Sequence, residues 1–375
     1  MSIGDADVIA AVAAQRPTIT DTVAFVHAHP ELAHEEHRCA SRLAGQLHDG
    51  GLRVEQGVAG LGTAFRATLA GGRAGRRVGI VALYDAVAAV RENGATEAVH
   101  SCGHGPIAGA VVGAALALAA LRDRLAGELV VVGCPADEIH APGSVERGGG
   151  KWLTAAAGVW DDVDAALYVH PEFIDTVWQA SLWMRRDTFI VAGARSLRDD
   201  VAQPPLEAIE PLLRAAAGVG RSEVMIERLV LDGDVEEGTG LVLTGTLLCF
   251  ADDEAGIERT ALAMRSALPH ATWSAGRLVP AIRPSDAVTA AVADAFAAAG
   301  RGFERDPPPL PFATDFGSIS RRAPAALIGV GRLEGWAFHS DEGAAQFASP
   351  VGVEVATEMA TILALATVRL GEPGP

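Results

Sequence analysis

The stretch Glu128-Leu-Val-Val-Val-Gly-Cys-Pro-Ala-Asp-Glu138 joins a short apolar segment directly to a pair of carboxylates. The apolar part has the length and the valine content of a parallel strand that is buried on both faces. Comparable apolar runs occupy residues 78–84, 165–169 and 325–330, and helical segments separate them. This alternation predicts an α/β fold in which a mostly parallel sheet carries helices on both faces.

Polar side chains follow these predicted strands. Asp85 closes the first strand along the chain, and Asp137 and Glu138 follow the second. His170 follows the third strand, and His339 lies in the loop after the fourth. Because the carboxyl ends of parallel strands meet at one edge of a sheet, we expect these side chains to converge there.

The segment His100-Ser-Cys-Gly-His-Gly-Pro106 places a thiol and an imidazole two residues apart in a glycine-containing loop. Pro106 suits the first turn of a helix, and a helix amino terminus favours a thiolate at Cys102. Imidazole and thiolate suit zinc, whereas carboxylates also suit manganese. We therefore predict a site for two divalent ions, zinc or manganese, with these ligands: Cys102, His104, Glu138, His170 and His339.

Two such ions would generate hydroxide and polarise a carbonyl together. Hydrolysis also needs a carboxylate that moves a proton from water to the leaving amine, and Asp137 and Glu138 can divide these roles. The leading hypothesis is metal-hydroxide attack on the C–N amide bond of a small N-acyl amino acid, dipeptide or aryl amide.

Two alternatives stay open. One is a dinuclear-metal hydrolytic deaminase that acts on an aromatic amine or amidine carbon. The other is a non-catalytic dimeric binding protein. The deaminase is suggested by four tryptophans in a chain with only 5% aromatic residues: Trp152, Trp160, Trp178 and Trp183.

The composition limits the choice of function. The chain has 375 residues, 49% of them hydrophobic, which allows a large core and two domains. The net charge of −17 and the lack of a basic run argue against nucleic acid as a partner. No secretory signal is expected, and the apolar stretch 107–121 fits a buried helix better than a membrane span. We predict a cytoplasmic protein with a small-molecule substrate and four cysteines that remain thiols.

The alternation of predicted helices and parallel strands stops near residue 183. Residues 1–182 and 284–375 carry the alternation of helices and strands, which predicts one catalytic domain. Residues 183–283 are predicted to form a separate α+β domain inserted into the first. Within this insertion, strands are predicted at 188–192, 223–232 and 240–250, and helices at 205–217 and 253–267.

The order of the motifs resembles that of the aminoacylase and carboxypeptidase-G superfamily of dinuclear metallohydrolases. The resemblance is to its amidohydrolase branch, which includes hippurate hydrolase, indole-acetyl-amino-acid hydrolases and p-aminobenzoyl-glutamate hydrolase. Each motif alone is weak, whereas their collinear order over nearly the whole chain is specific. The matching segments are His29-Pro-Glu-Leu32 with Glu35 or Glu36 nearby, Tyr84-Asp-Ala86, His100-Ser-Cys-Gly-His104, Pro135-Ala-Asp-Glu138, His170-Pro171, Thr314-Asp-Phe-Gly317 and His339-Ser340.

The resemblance implies roles for individual residues. It makes Asp137 the general base, and it assigns the metal to Cys102, His104, Glu138, His170 and His339. It also implies that the insertion is a ferredoxin-like lid and dimerisation domain, so a homodimer is expected. Asp85, His140 and Asp315 are further candidates for contact with a ligand side chain or with the substrate.

The chain departs from the family pattern in several places. Asp137 stands where the family usually has Glu, so the side chain of the base is one methylene shorter. Residues 139–147 form an extra loop beside the predicted metal site. In the insertion, the usual histidine is absent near residues 193–197, and the usual Asn-x-Ile-Pro stretch is replaced around residues 236–239. The run Gly148-Gly-Gly-Lys151 lacks the spacing of a phosphate loop, and the role of its lysine stays open.

Overall fold

The computed structural model describes residues 2–193, 204–219, 223–233, 240–310 and 314–373. The chain forms two compact units. The first comprises Met1–Ala180, Arg283–Pro309 and Asp315–Pro375, and the second comprises Ser181–Ile282 and Leu310–Thr314. The second unit is therefore inserted into the sequence of the first.

The described residues form these strands in chain order: β1 Arg53–Gln56, β2 Phe65–Ala70, β3 Arg73–Ala82, β4 Val87–Val90, β5 Thr96–Val99, β6 Ala126–Gly133, β7 Ala165–Glu172, β8 Thr176–Val177, β9 Trp183–Ala192, β10 Val224–Asp232, β11 Val242–Ala251, β12 Thr272–Ser274, β13 Leu278–Val279 and β14 Ala325–Gly331. They form these helices: α1 Asp5–Ala14, α2 Arg16–Ala28, α3 His37–Asp49, α4 His104–Ala120, α5 Pro142–Arg147, α6 Gly150–Ala156, α7 Pro204–Glu207, α8 Ile209–Val219, α9 Glu254–Ala267, α10 Asp286–Ala298, α11 Phe316–Ile319, α12 Asp341–Ala348 and α13 Pro350–Gly371.

The first unit is built on a seven-stranded sheet with the strand order β1-β2-β6-β3-β7-β14-β8. At its centre β6, β3, β7 and β14 run parallel, whereas β1, β2 and β8 form antiparallel pairs on the two sides. Val78 of β3, for example, pairs with Leu129 of β6 on one side and with Ala165 of β7 on the other. The apolar runs thus form the parallel centre, and the predicted α/β fold is confirmed.

Two apolar helices, α4 and α13, pack against each other and against the central strands. Almost all of α4 is buried, as predicted for residues 107–121. Its glycines permit close packing, because a Cβ atom at Gly113 would lie 2.5 Å from Cγ1 of Ile19 in α2. Among the described residues, α13 alone has the length and hydropathy to cross a membrane, and 67% of its most apolar window is buried. It serves as a core helix of the first unit.

Two local features of the first unit differ from the prediction or add to it. β7 continues through His170 to Glu172, whereas the predicted strand ends at Val169. His170 pairs with Gly329 of β14 and therefore lies within the sheet. A hairpin of β4 and β5 was not predicted, although its turn contains Asn93-Gly94, a pair typical of tight hairpin turns.

The second unit has the β-α-β-β-α-β order of a ferredoxin-like domain. Its antiparallel sheet has the strand order β10-β11-β9-β12, with β13 paired to β9. The predicted helix 205–217 is split into α7 and α8 at Ala208, and β9 begins at Trp183. The core of this unit includes Phe189, Leu212, Leu247, Ile257 and Met264.

Gly79 of β3 lies against the buried ring of Trp160. A Cβ atom at Gly79 would lie 2.8 Å from Cζ3 of Trp160 and 3.0 Å from Cγ1 of Val163. We expect Gly79→Ala to lower the free energy of unfolding by about 1–3 kcal/mol, because the ring has to shift. In the control Gly45→Ala, nothing lies within 4 Å of the new Cβ, and alanine should stabilise α3 by about 0.5–1 kcal/mol. Denaturant unfolding measures both, and equal effects would contradict the prediction.

Candidate metal centre

Loops and strand ends at the carboxyl edge of the central strands bring the predicted site residues together. This placement follows from the parallel direction of β3, β6, β7 and β14. Their positions are as follows: Asp85 follows β3, Cys102 and His104 lie at the start of α4, Asp137 and Glu138 follow β6, His170 lies near the end of β7, and His339 lies between β14 and α12.

Cys102 is at the centre of the site. Its Sγ lies 3.8 Å from Nε2 of His170 and 3.3 Å from Nε2 of His339. Two groups of potential ligand atoms share this sulfur: one is completed by His104 and His170, and the other by Glu138 and His339. Within each group the atoms lie within 4.8 Å of one another. The five predicted ligands therefore form two three-atom groups with a common sulfur.

Asp85 holds the ring of His104. Nδ1 of His104 lies 3.0 Å from Oδ1 of Asp85 and 2.7 Å from the backbone oxygen of the same residue. Because Nδ1 is engaged in this way, Nε2 is the nitrogen directed into the site. The second carboxylate oxygen of Asp85 accepts the N–H of Glu138 at 2.9 Å. Asp85 thus holds the ring of His104, chiefly through its backbone oxygen, and its carboxylate holds the backbone of Glu138.

The other two histidines are oriented by different means. Nδ1 of His170 lies 3.3 Å from Oε1 of the buried Glu172, which leaves Nε2 free to face the sulfur. His339 has a φ of 57°, which is uncommon for a residue with a side chain. Its N–H donates to the backbone oxygen of Ser101 at 2.9 Å, and its Nε2 lies 3.9 Å from Oε2 of Glu138. The backbone conformation of His339 and its hydrogen bond to Ser101 therefore bring its ring close to Cys102 and Glu138.

The protonation of these groups depends on their mutual contacts. Burial raises the pKa of the Cys102 thiol, but its histidine neighbours outweigh burial and hold that pKa well below the ordinary value. Burial lowers the pKa of His170, yet contacts with Cys102 and Glu172 raise it to about 9. Burial, with the charge of Cys102, raises the pKa of Glu138 well above its ordinary value. A thiolate thus lies beside groups that retain protons, and binding of a cation would release those protons.

The donor atoms fit divalent metal ions. In the described part of the chain, Nε2 of His104 and Oε1 of Glu138 are buried and have no hydrogen-bond partner. These two atoms lie 3.7 Å apart. Buried polar atoms without a partner are costly, and a cation in each of the two ligand groups would satisfy both atoms. Thiolate, imidazole and carboxylate are also the donors that zinc accepts.

Asp137 lies between the ligand cluster and a buried lysine. Its Oδ2 is 3.3 Å from Nε2 of His104, and its Oδ1 forms an ion pair with Nζ of Lys151. Nζ of Lys151 also lies 2.8 Å from Oδ1 of Asp315. The predicted base therefore has one oxygen that faces the predicted ligands and one oxygen that pairs with the lysine. The sequence motifs give Lys151 no role. The run of three glycines before it is the feature of the sequence that marks this position.

A second buried carboxylate, that of Glu36, supports the loop after β6. Its Oε1 accepts the backbone N–H groups of His34 and Ala136, each at 2.8 Å. Ala136 has a φ of 59°, and the bond to Glu36 helps to hold this left-handed conformation. No local pattern marks this role, because Ala136 is 100 residues away in sequence.

The remaining candidates have separate outcomes. His140 is exposed in a turn, and the extra segment 139–147 contains the short helix α5. Trp160 is fully buried against β3, so it belongs to the core and gives no support to an aromatic substrate. The departures predicted at residues 194–197 and 236–239 lie outside the described residues.

A thiol, imidazoles and carboxylates of the kinds that bind divalent metal ions lie together at the carboxyl edge of a parallel sheet, an arrangement typical of metal-dependent hydrolases. The chain belongs to the peptidase family M20/M25/M40, whose family model matches residues 80–361. The matched region begins in β3 and contains all five predicted ligands. This membership confirms the resemblance and the enzyme class that the sequence motifs predicted.

Two curated relatives share part of the sequence. One is a subunit of the p-aminobenzoyl-glutamate hydrolase of Escherichia coli K12, which is 31% identical over 173 residues that cover 43% of this chain and 34% of that protein. Thermostable carboxypeptidase 1 of Saccharolobus solfataricus is 32% identical over 200 residues, which cover 50% of this chain and 48% of that protein. The chain thus spans between a third and a half of the length of these relatives.

The fold has a solved counterpart. The crystal structure of a dinuclear metal-binding peptidase of the M20 family from Bacillus subtilis has a TM-score of 0.70 against this chain. The sequence identity is 18%, and the likeness covers 96% of this chain and 99% of the other. The two proteins therefore share a fold over almost their whole length.

Glu36 gives the protein a specific pH dependence. Burial raises its pKa from 4.5 to about 7, so between these values the folded protein holds a proton that the unfolded chain releases. Stability therefore falls as the pH rises through this window. Glu36→Gln keeps an acceptor oxygen and cannot ionise, so its stability relative to the wild type should rise through the window by on the order of 2 kcal/mol. Denaturant unfolding of both metal-free proteins measures this, and a constant difference would show that Glu36 is ionised throughout.

Proposed function

We propose that the protein hydrolyses the C–N amide bond of a small N-acyl amino acid, a dipeptide or an aryl amide. One observation carries the proposal: two ligand groups share Cys102, and Asp137 directs one oxygen toward Nε2 of His104. Amide hydrolysis needs both parts, because cations polarise the carbonyl and activate water while a carboxylate transfers the proton.

Each side chain has a distinct role in this proposal. Asp137 takes the proton of the attacking water at Oδ2, the oxygen that faces the ligands, and passes it to the leaving amine. Asp85 keeps the ring of His104 in place during these transfers. Two divalent ions bound there would polarise the scissile carbonyl and lower the pKa of water. One ion would be held by Cys102, His104 and His170, and the other by Cys102, Glu138 and His339.

The names of the two relatives support an amide next to an amino acid. One relative is a hydrolase of p-aminobenzoyl-glutamate, and the other is a carboxypeptidase. Both names fit hydrolysis of an amide bond to an amino acid. The thiolate of Cys102 favours zinc as the metal, although the carboxylate and imidazole donors also accept manganese.

We further propose a cytoplasmic homodimer that assembles through the inserted unit. The described part of this unit exposes large apolar side chains, among them Leu213 at 50% and Leu262 at 64%. The four cysteines are free, as expected in a reducing compartment. The net charge of −17 favours a small molecule over nucleic acid as the ligand. Light scattering tests the dimer, and a monomeric mass at all concentrations would contradict it.

The alternatives differ from amide hydrolysis in their products. Amide hydrolysis yields a carboxylic acid and an amine, a deaminase releases ammonia, and a binding protein releases neither. A screen of acyl-amino acids, dipeptides and arylamines, with ammonia and primary amines both measured, separates the three. Ammonia without an acid product would replace the proposed reaction with deamination.

Two neighbouring substitutions should separate catalysis from metal binding. Asp137→Ala should abolish turnover and keep about two ions per chain, because Asp137 belongs to neither ligand group. Glu138→Ala should lose metal as well as turnover, because it removes a ligand. Elemental mass spectrometry on protein purified without a metal-chelating column measures the metal. Retained turnover in Asp137→Ala would overturn the choice of base, and a wild type that refuses zinc and manganese would overturn the metal centre.

A further inference from the structure

The chain has 30 lysine and arginine residues, and 29 of them are arginine. Lys151 is the single lysine. Its side chain is fully buried, with 0% exposure, whereas lysine is rarely buried without a partner. It also lies in the first turn of α6, where the helix dipole disfavours a cation. Neither solubility nor helix stability therefore accounts for this lysine.

The ammonium group of Lys151 lies between two carboxylates. Nζ forms an ion pair with Oδ1 of Asp137 and lies 2.8 Å from Oδ1 of Asp315. It also lies 5.2 Å from the centre of the Tyr168 ring. A buried cation requires such compensation, and the two carboxylates hold the ammonium group from opposite sides.

The backbone before Lys151 is shaped to allow these contacts. A Cβ atom at Gly149 would overlap Oδ2 of Asp315, and one at Gly150 would overlap the backbone oxygen of Pro135. Glycine at both positions lets the start of α6 approach Asp315 and the loop after β6 together. The glycine run is therefore explained by this close approach and not by a bound phosphate.

We propose that Lys151 is a positioning residue for Asp137. The ammonium holds Oδ1 of Asp137, so Oδ2 stays directed at Nε2 of His104, 3.3 Å away. Asp315 fixes the ammonium from the other side. Because Lys151 is fully buried, it acts through Asp137 and does not touch the substrate. This inference rests on the proposed function, in which Asp137 is the base.

Two variants separate positioning from simple charge compensation. Lys151→Met removes the ammonium and leaves Asp137 and Asp315 with an excess negative charge. The double variant Lys151→Met/Asp315→Asn also removes one carboxylate, so the net charge of the cluster returns to the wild-type value. If the lysine only compensates charge, the double variant regains stability and turnover. If the lysine positions Asp137, the double variant regains stability alone.

We expect kcat to fall about 10–100-fold in both variants, because proton transfer depends on the orientation of the carboxylate. KM should change by less than about twofold, since no substrate contact is lost, and the metal content should stay at the wild-type value. Wild-type kcat in either Lys151 variant, or loss of metal from either one, overturns the proposal. If Lys151→Met does not fold, the double variant decides.

Arg77→Met is the matched control for loss of a cation between two carboxylates. Arg77 pairs with Glu128 at 2.9 Å and with Asp162 at 2.6 Å, at the amino-terminal end of the central strands. Its substitution should lower stability and leave kcat unchanged, because these contacts lie at the opposite edge from the metal centre. A kcat loss equal to that of Lys151→Met would show a general effect of instability and overturn the specific role of Lys151.

The single lysine also permits a measurement that needs neither metal nor substrate. Tag-free protein labelled with nitrogen-15 at the lysine side chain should give one ammonium signal that exchanges slowly with water, because Nζ is buried and ion-paired. Asp137→Asn should shift this signal and speed its exchange, whereas Asp164→Asn, near Arg77, should not. A signal insensitive to Asp137→Asn overturns the contact even if hydrolysis is established. A wild type without amidase activity overturns the proposed function, and the contact can still be measured.

Discussion

One buried residue, Asp85, joins the two segments that carry the candidate metal ligands His104 and Glu138. Its Oδ1 lies 3.0 Å from the ring of His104, and its Oδ2 accepts the N–H of Glu138. These partners come from the start of α4 and from the loop after β6, so one side chain at the end of β3 joins both to the sheet. Burial raises the pKa of Asp85, but contact with His104 outweighs it and holds that pKa low. The carboxylate stays charged, and the ring keeps the orientation that a metal requires.

The sequence predicts those parts of the structure that depend on a local pattern. The central strands are continuous apolar runs, and polar side chains follow them because parallel strands end at one edge. Cys102 and His104 do not follow an apolar strand, so the strand pattern alone does not place them at this edge. The order of the motifs along the chain does. β7 shows the limit of such reasoning. Its apolar pattern stops at Val169, but pairing with β14 continues to Glu172, since pairing depends on the neighbouring strand as well.

The supports of the site could not be predicted in the same way, because their contacts join distant segments. Glu36 bonds to Ala136 across 100 residues, and no spacing in the sequence records such a contact. The shift of the Ala136 backbone into the left-handed region is likewise invisible in the motif Pro135-Ala-Asp-Glu138. Lys151 has a signal of another kind, because it is the single lysine of the chain and follows three glycines. Composition can therefore mark a residue whose contacts the sequence does not reveal.

The carboxyl groups around the site explain why a cation occupies position 151. Four carboxyl groups, those of Asp85, Asp137, Glu138 and Asp315, lie close together, and metal ions would balance those on the ligand side. The far side of Asp137 needs a separate cation that also reaches Asp315. A guanidinium is planar and spreads its donors over a fork, whereas an ammonium is a compact point charge. Arg77 also bridges two carboxylates, but its side chain is partly exposed, whereas the ammonium of Lys151 is fully buried between Asp137 and Asp315.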